Sequence, residues 1–308
     1  MTTRSEDESV SSAQPYEVDL TKLHSLEASA HHTKGFVSAF LRNLENIKEL
    51  HLMPYLTAAD GVALFFWTIN YIKTSLQSGK CGSDCIQEAN QLFSEFLRQP
   101  ETTTTIASQI DARVNALMHT ESFQRAVKVM FFVTPPLLWT AFETVARDAW
   151  ASAINSAPIS TAHRVFKSLE DDEGGIGKKS IEIGTLAKYG FDLRGRLGGI
   201  LQEKFHFSSI EGIAKAYRSA FPDNKTFLSI FENRDLKSVE QTRHLITHNA
   251  GIIDEIYKKR SGSDQNVGDE LLLTGSQLSL FGSAIVEAGI GILLFVDTFL
   301  ASTAGSKT

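Results

Sequence analysis

Cysteine is almost missing from this chain: Cys81 and Cys85 are its whole complement. Two thiols cannot staple 308 residues, so a disulfide scaffold is excluded and a reducing compartment is expected. Proline is scarce too, seven in all, which leaves long stretches free to be helical. No unbroken apolar run approaches the roughly 20 residues that a bilayer span needs. The longest near the C-terminus, Ala288 to Val296, is closed by Glu287 and Asp297. The opening residues hold no apolar segment of the signal-peptide kind. Together these absences predict a cytoplasmic protein with no membrane partner. Positive charge is not in surplus either: the net charge is −6, which argues mildly against a nucleic-acid-coating protein. Alternation of period two is lacking, and so are hairpin signals. Only Leu271-Leu272-Leu273 and Ile181 to Ile183 are candidates for short strands.

What is present is helical periodicity around a sizeable apolar fraction, 42%, so the expected fold class is all-α, a bundle of about ten helices. Residues Met1 to Asp19 are acidic, polar and without period, and are expected to be a disordered tail. Val37, Leu41, Leu44 and Ile47 mark one helix face, with a stop expected at Pro54 and a restart capped by Thr57. Thr134-Pro135-Pro136 predicts another restart, Thr134 as cap and Pro135 in the first turn. The long helix after it carries Leu138, Phe142 and Val145 on one side and Trp139, Glu143, Arg147 and Trp150 on another. Ser208 with Glu211 reads as a capping box, and Asp235 as the cap of a helix with Leu236, Val239 and Ile246 inward. The expected division is a tail over 1–19, a helical region over 20–133 and a second helical domain over 134–303, with its seam at the paired prolines.

Several motifs lack the context their chemistry needs. Gly174 to Ser180 resembles a phosphate loop, but Asp172 stands where its first glycine belongs and Lys179 where Ser or Thr should follow the lysine. Cys81 and Cys85 have no second ligand pair for zinc. His31-His32 reads as solvated surface. Glu143 and Arg147 are spaced as a surface ion pair, although the flanking tryptophans leave open a carboxylate that serves a site.

One stretch stands apart. Thr242-Arg243-His244-Leu245-Ile246-Thr247-His248-Asn249-Ala250-Gly251 places a bidentate cation, two proton-transfer groups and an amide at a helix end. A zinc-protease reading fails because Leu245, not Glu, follows His244. From Lys178 to Arg260 there are 15 Lys and Arg against 10 Asp and Glu, an excess of five around this stretch, while the remainder carries −11.

Arg243-His244, three residues, then His248 resembles the R-φ-x3–5-H motif of the HEPN superfamily of helical domains, where φ is typically Asn, Asp or His. Asn249 and Gly251 are similar to the motif's surroundings in several branches. The helix with Glu143 resembles the earlier core helix, which often brings an acidic residue to the site. The resemblance spans roughly Thr134 to Ser302.

That resemblance implies a metal-independent endoribonuclease, of the kind found among toxins and antiviral-defence effectors. It implies no cofactor and no metal. The partners implied are RNA, a second copy of the chain and a regulatory protein such as an antitoxin. His248 is then the proton-transfer group and Arg243 the phosphate ligand, with His244, Asn249 and Glu143 supporting. Cleavage follows attack of the 2′-OH on its neighbouring phosphate and leaves a 2′,3′-cyclic end. Arg243 and His248 are five positions apart, so their side chains leave the helix about 140° apart. One copy does not close around one phosphate, and a composite site in a two-fold dimer is expected. The competing expectation is a non-catalytic helical module that binds nucleotide or a protein partner.

Overall fold

The computed structural model describes residues 16–78, 82–171, 183–188, 190–221 and 224–305. The phosphate-loop look-alike, Cys81, Ile181 and most of the acidic tail lie outside them. The fold is all-α. In chain order the helices are α1 Thr21–Ser29, α2 Lys34–Ser78, α3 Ser83–Leu97, α4 Pro100–Met118, α5 Glu121–Ser156, α6 Pro158–Asp171 and α7 Ile183–Lys188. They continue with α8 Leu197–Gln202, α9 Ile210–Ala220, α10 Lys225–Leu228, a 3-10 turn at Ser229–Glu232, α11 Arg234–Asn249, α12 Glu255–Ser261 and α13 Gly275–Gly305. No strand forms among the described residues. The segment around Leu271 makes one isolated antiparallel bridge, Ile252 with Glu270, and Ile183 opens α7.

Two expected helix breaks do not occur. α2 runs through Pro54, and α5 runs through Pro135 and Pro136. An interior proline costs about 3 kcal/mol through its missing N–H and its clash with the preceding turn. In α5 that cost is offset by burial on both sides of it, since Phe131, Thr134, Leu138 and Trp139 are all buried. Thr57, expected as a cap, turns its hydroxyl back to the Met53 carbonyl at 2.8 Å. Backbone proximity divides the chain into 1–48 with 131–308, and 49–130. Both junctions therefore fall inside helices, at points that no proline marks.

In the first unit α13 forms the apolar centre, with Leu278, Ile285, Ile292, Leu293 and Val296 fully enclosed. α11 lies against α13 and α12, and α6 against α9. A reciprocal clamp joins α5 to α9: Trp150 Nε1 donates to the Ala216 carbonyl at 2.9 Å, and the Tyr217 hydroxyl donates to the Ala146 carbonyl at 2.8 Å. Each aromatic buries its ring and still satisfies its polar atom. Tyr217 also meets Phe221, Phe227 and Phe231, and Phe227 stacks on Phe295 of α13 at 4.1 Å. Gly289 lets Phe40 of α2 lie directly on α13, because any β-carbon there would strike the ring.

By length and composition three helices are apolar enough to cross a membrane: α2 over Lys34–Gln77, α5, and α13 over Gly275–Thr303. The count of unbroken apolar residues overlooked them, since isolated charges such as Glu287 and Asp297 still leave α13 a hydropathy of 2.0. In α13 the charge is used internally. Asp297 Oδ1 accepts from the backbone of His32 and Thr33 and from the Thr33 hydroxyl, at 2.8, 2.9 and 3.1 Å.

In the 49–130 unit, Phe66 meets Phe96 and Trp67 Nε1 donates to Asn90 at 2.7 Å. Cys85 is fully buried. Leu64, Phe65 and Leu76 remain exposed, Leu76 at 80%. His51 is enclosed, only 4% exposed, and burial holds its imidazole down at about 4. The unfolded chain therefore binds the proton more tightly than the folded chain between pH 6.5 and about 4, and stability falls as pH falls through that window. Between pH 7.5 and 5 the loss should be about 2 kcal/mol. Urea midpoints of wild type and His51→Leu across this range check it. The wild type should show the steeper decline, and parallel curves would exclude His51 as the cause.

Candidate functional site

α11 is built by local rules with one shift from expectation. Its cap is Asn233, not Asp235: the Asn233 side chain accepts from the backbone of Asp235 and Leu236 at 2.8 and 3.1 Å. Asp235 sits instead in the first turn, where a carboxylate favours the helix dipole. Likewise Ser209, not Ser208, caps α9 through Gly212. Leu236, Val239, Thr242 and Leu245 face inward. Thr242 Oγ1 lies 3.3 Å from the Tyr257 hydroxyl of α12.

The end of α11 is fixed by a left-handed pair, Ala250 with φ 49° and Gly251 with φ 76°. Asn249 Nδ2 donates to the Ile252 carbonyl at 2.5 Å, so this amide secures the turn. Residues 251–253 are then pinned by backbone bonds, Leu271 N to Gly251 O and Ile253 N to Asp269 O, at 2.8 and 2.9 Å. A β-carbon on Gly251 meets both a strained φ and the Phe132 ring. Gly251→Ala should cost roughly 2–4 kcal/mol, summing the left-handed penalty and overpacking. Chemical denaturation measures it, and a loss below about 0.5 kcal/mol would mean the ring simply moves aside.

The motif side chains part company as the helix geometry requires. At 100° per residue, Lys237, Gln241, His244 and His248 fall within about 60° of one another, and Arg243 points well away. His244 and His248 are exposed, their ring centroids 4.5 Å apart. Arg243 is half-buried, its guanidinium carbon 5.2 Å over the ring of Trp139 from α5. Its Nη2 donates to the Ser208 carbonyl at 2.5 Å. Its Nε is buried with no acceptor, and so is Nε1 of Trp139. One turn earlier on α11, Glu240 accepts from the backbone of Ile210 at 2.8 Å. Arg243 and Glu240 thus hold the segment that enters α9 from two points.

Glu143 is half-buried on α5, one helical turn from Trp139. No ion pair joins it to Arg243, His248 or Arg147; Arg147 bonds Asp148 instead, at 3.2 Å. Among the described residues no three His, Cys, Asp or Glu side chains converge on a point that would hold a metal.

Sequence reasoning singled out Trp139 as a flank of the Glu143 face but not as the seat of Arg243. It also missed a cleft of about 450 Å³ lined by α9, α10, the 3-10 turn, α11 and the end of α12. Its cations are Arg218, Lys237 and Arg260, each ordinary in sequence and brought together only by the fold.

Comparison with protein-family models, with characterised proteins and with solved structures yields no match for this chain.

Proposed function

We propose that this protein is a metal-independent endoribonuclease of HEPN type, working as a cytoplasmic homodimer in the manner of a toxin or defence effector held in check by a regulatory partner. The observation that carries the reading is the exposed His244–His248 pair, 4.5 Å between ring centroids, on the same helix as Arg243, whose docked guanidinium leaves Nε without an acceptor. Two imidazoles at that spacing suit phosphodiester transesterification. Neutral His248 takes the proton from the 2′-OH, the 2′-oxygen bonds to phosphorus, and the bond from phosphorus to the 5′-oxygen breaks. Protonated His244, or its copy across the dimer, gives the departing oxygen its proton.

Arg243 supplies charge stabilisation once it leaves its seat. The docked guanidinium keeps one hydrogen bond and a cation–π contact but strands Nε without a partner. An unpaired buried donor costs about 1–3 kcal/mol, so the docked arrangement is shallow. A phosphate offering two acceptor oxygens competes well for the fork. A second reading, a non-catalytic nucleotide- or partner-binding module, is favoured by the same docking, in which Arg243 acts as a strut between α5, α11 and the segment before α9.

Incubating the purified protein with total RNA in EDTA separates the two. The expected products carry 2′,3′-cyclic phosphates and free 5′-hydroxyls. Binding of RNA without cleavage supports the module, and ends of the 3′-hydroxyl type would overturn the transesterification route.

A further inference from the structure

The cleft that α11 shares with α9 and α12 has a lining that favours one class of occupant. Arg218 of α9, Lys237 of α11 and Arg260 of α12 project from three different helices onto one concavity. All three are exposed, and none makes an ion pair among the described residues. Structural cations normally find a carboxylate, and Glu211 and Glu232 stand in the same lining without pairing to them. Glu240, the third carboxylate, is spent on the Ile210 backbone. Ile210, Ala214, Leu228 and Phe231 form the apolar part. Free cations around an apolar floor suit a nucleotide, whose phosphate meets the charges and whose base lies on the floor.

The position on α11 adds direction. Lys237 and Gln241 in the cleft and His244 and His248 beyond it occupy one stripe. From Lys237 to His248 the stripe rises about 16 Å, the reach of a few nucleotides of single strand. We propose that the cleft is the subsite that seats a nucleotide of single-stranded RNA next to the scissile phosphate, so that the strand runs along α11 from Lys237 to His248. This rests on the ribonuclease reading for its direction toward the histidines. Glu211 and Glu232 offer acceptors to exocyclic amino groups, so bases that carry one are the better fit.

The probe is a fluorescent 2′-O-methyl oligonucleotide of mixed A and C, which cannot be cleaved by 2′-OH attack, titrated by anisotropy at several salt concentrations in EDTA. In the variant Arg218→Ala/Lys237→Ala/Arg260→Ala, affinity at low salt should fall at least tenfold. The slope of log K against log salt should drop by about 2, at roughly 0.7 per phosphate contact on a single strand. A control that removes three exposed cations elsewhere, Lys22→Ala/Arg42→Ala/Lys48→Ala, should change little. Equal losses in both variants would reduce the effect to net charge and overturn the subsite. Binding that depends on the cleft cations while the wild type cleaves no RNA would sink the ribonuclease reading and leave the cleft standing. Unchanged binding with normal cleavage would do the reverse.

Discussion

Replacing His248 with alanine should lower RNA cleavage by 10²–10⁴-fold, the usual contribution of one positioned proton-transfer group. That corresponds to about 3–5 kcal/mol of transition-state stabilisation. The fold should hardly notice, because the side chain is exposed and surface substitutions lie within about 0.5 kcal/mol. A thermal midpoint near the wild-type value is therefore part of the expected result, and a variant that loses activity by unfolding would not meet it. His244→Ala separates the two imidazoles. If His244 protonates the departing 5′-oxygen, a substrate with an activated leaving group needs no such proton and should restore much of the rate to His244→Ala. The same substrate should do nothing for His248→Ala, whose defect lies in removing the 2′ proton. Equal rescue of both variants would overturn the division of roles. Retention of more than a tenth of the activity in His248→Ala would overturn the mechanism.

What could be read before the fold was seen was what local physics decides. The apolar phases of α5 and α11 were legible because a buried stripe repeats every three or four residues. Leu236 and Val239 are inward as expected, while the stripe then follows Thr242 and Leu245, leaving Ile246 half-buried. Caps were legible to within one or two residues. Ser209 and Asn233 took the roles expected of Ser208 and Asp235, since neighbouring polar side chains compete for the same free N–H groups. The prolines misled because their cost is local and its compensation is not. Pro135 and Pro136 announce a break, but the flanking turns bury enough apolar surface to keep α5 whole. For the site, the His244–His248 pair followed from spacing alone. The seat of Arg243 did not: Trp139 is 104 positions away, and nothing in either helix's own pattern pairs them. The cleft cations come from α9, α11 and α12 and share no motif.

Arg243 is where a catalytic and a structural role make different predictions from one substitution. Arg243→Ala removes the contact over Trp139 and the bond to the Ser208 carbonyl. Those contributions, about 0.5–2 kcal/mol for the ring contact and about 1.5–3 kcal/mol for a hydrogen bond to a charged donor, less the roughly 1–3 kcal/mol that the stranded Nε costs, set a stability loss of roughly 1–3 kcal/mol. A strut would show that loss and no more. A phosphate ligand would add a 10²–10³-fold fall in cleavage in the folded variant, as for loss of one preorganised donor. Arg243→Lys sharpens the contrast. Lysine keeps the charge and can still donate to Ser208, so stability should recover in part, but it lacks the fork that grips two phosphate oxygens, and activity should stay low. Full recovery of activity with lysine would reduce Arg243 to a positive charge. The same two variants test whether the site is shared. When Arg243→Ala and His248→Ala chains are mixed and reassembled, half the dimers carry one of each. If arginine and histidine of a site come from different chains, each such dimer holds one intact site, and roughly a quarter of the wild-type rate should return. If both come from the same chain, no site is intact in any dimer and the mixture stays as inactive as its parts. The divergence of Arg243 and His248 around α11, about 140° by helix geometry, favours the first outcome, because one strand of RNA lying over the histidines is turned away from the arginine of its own chain.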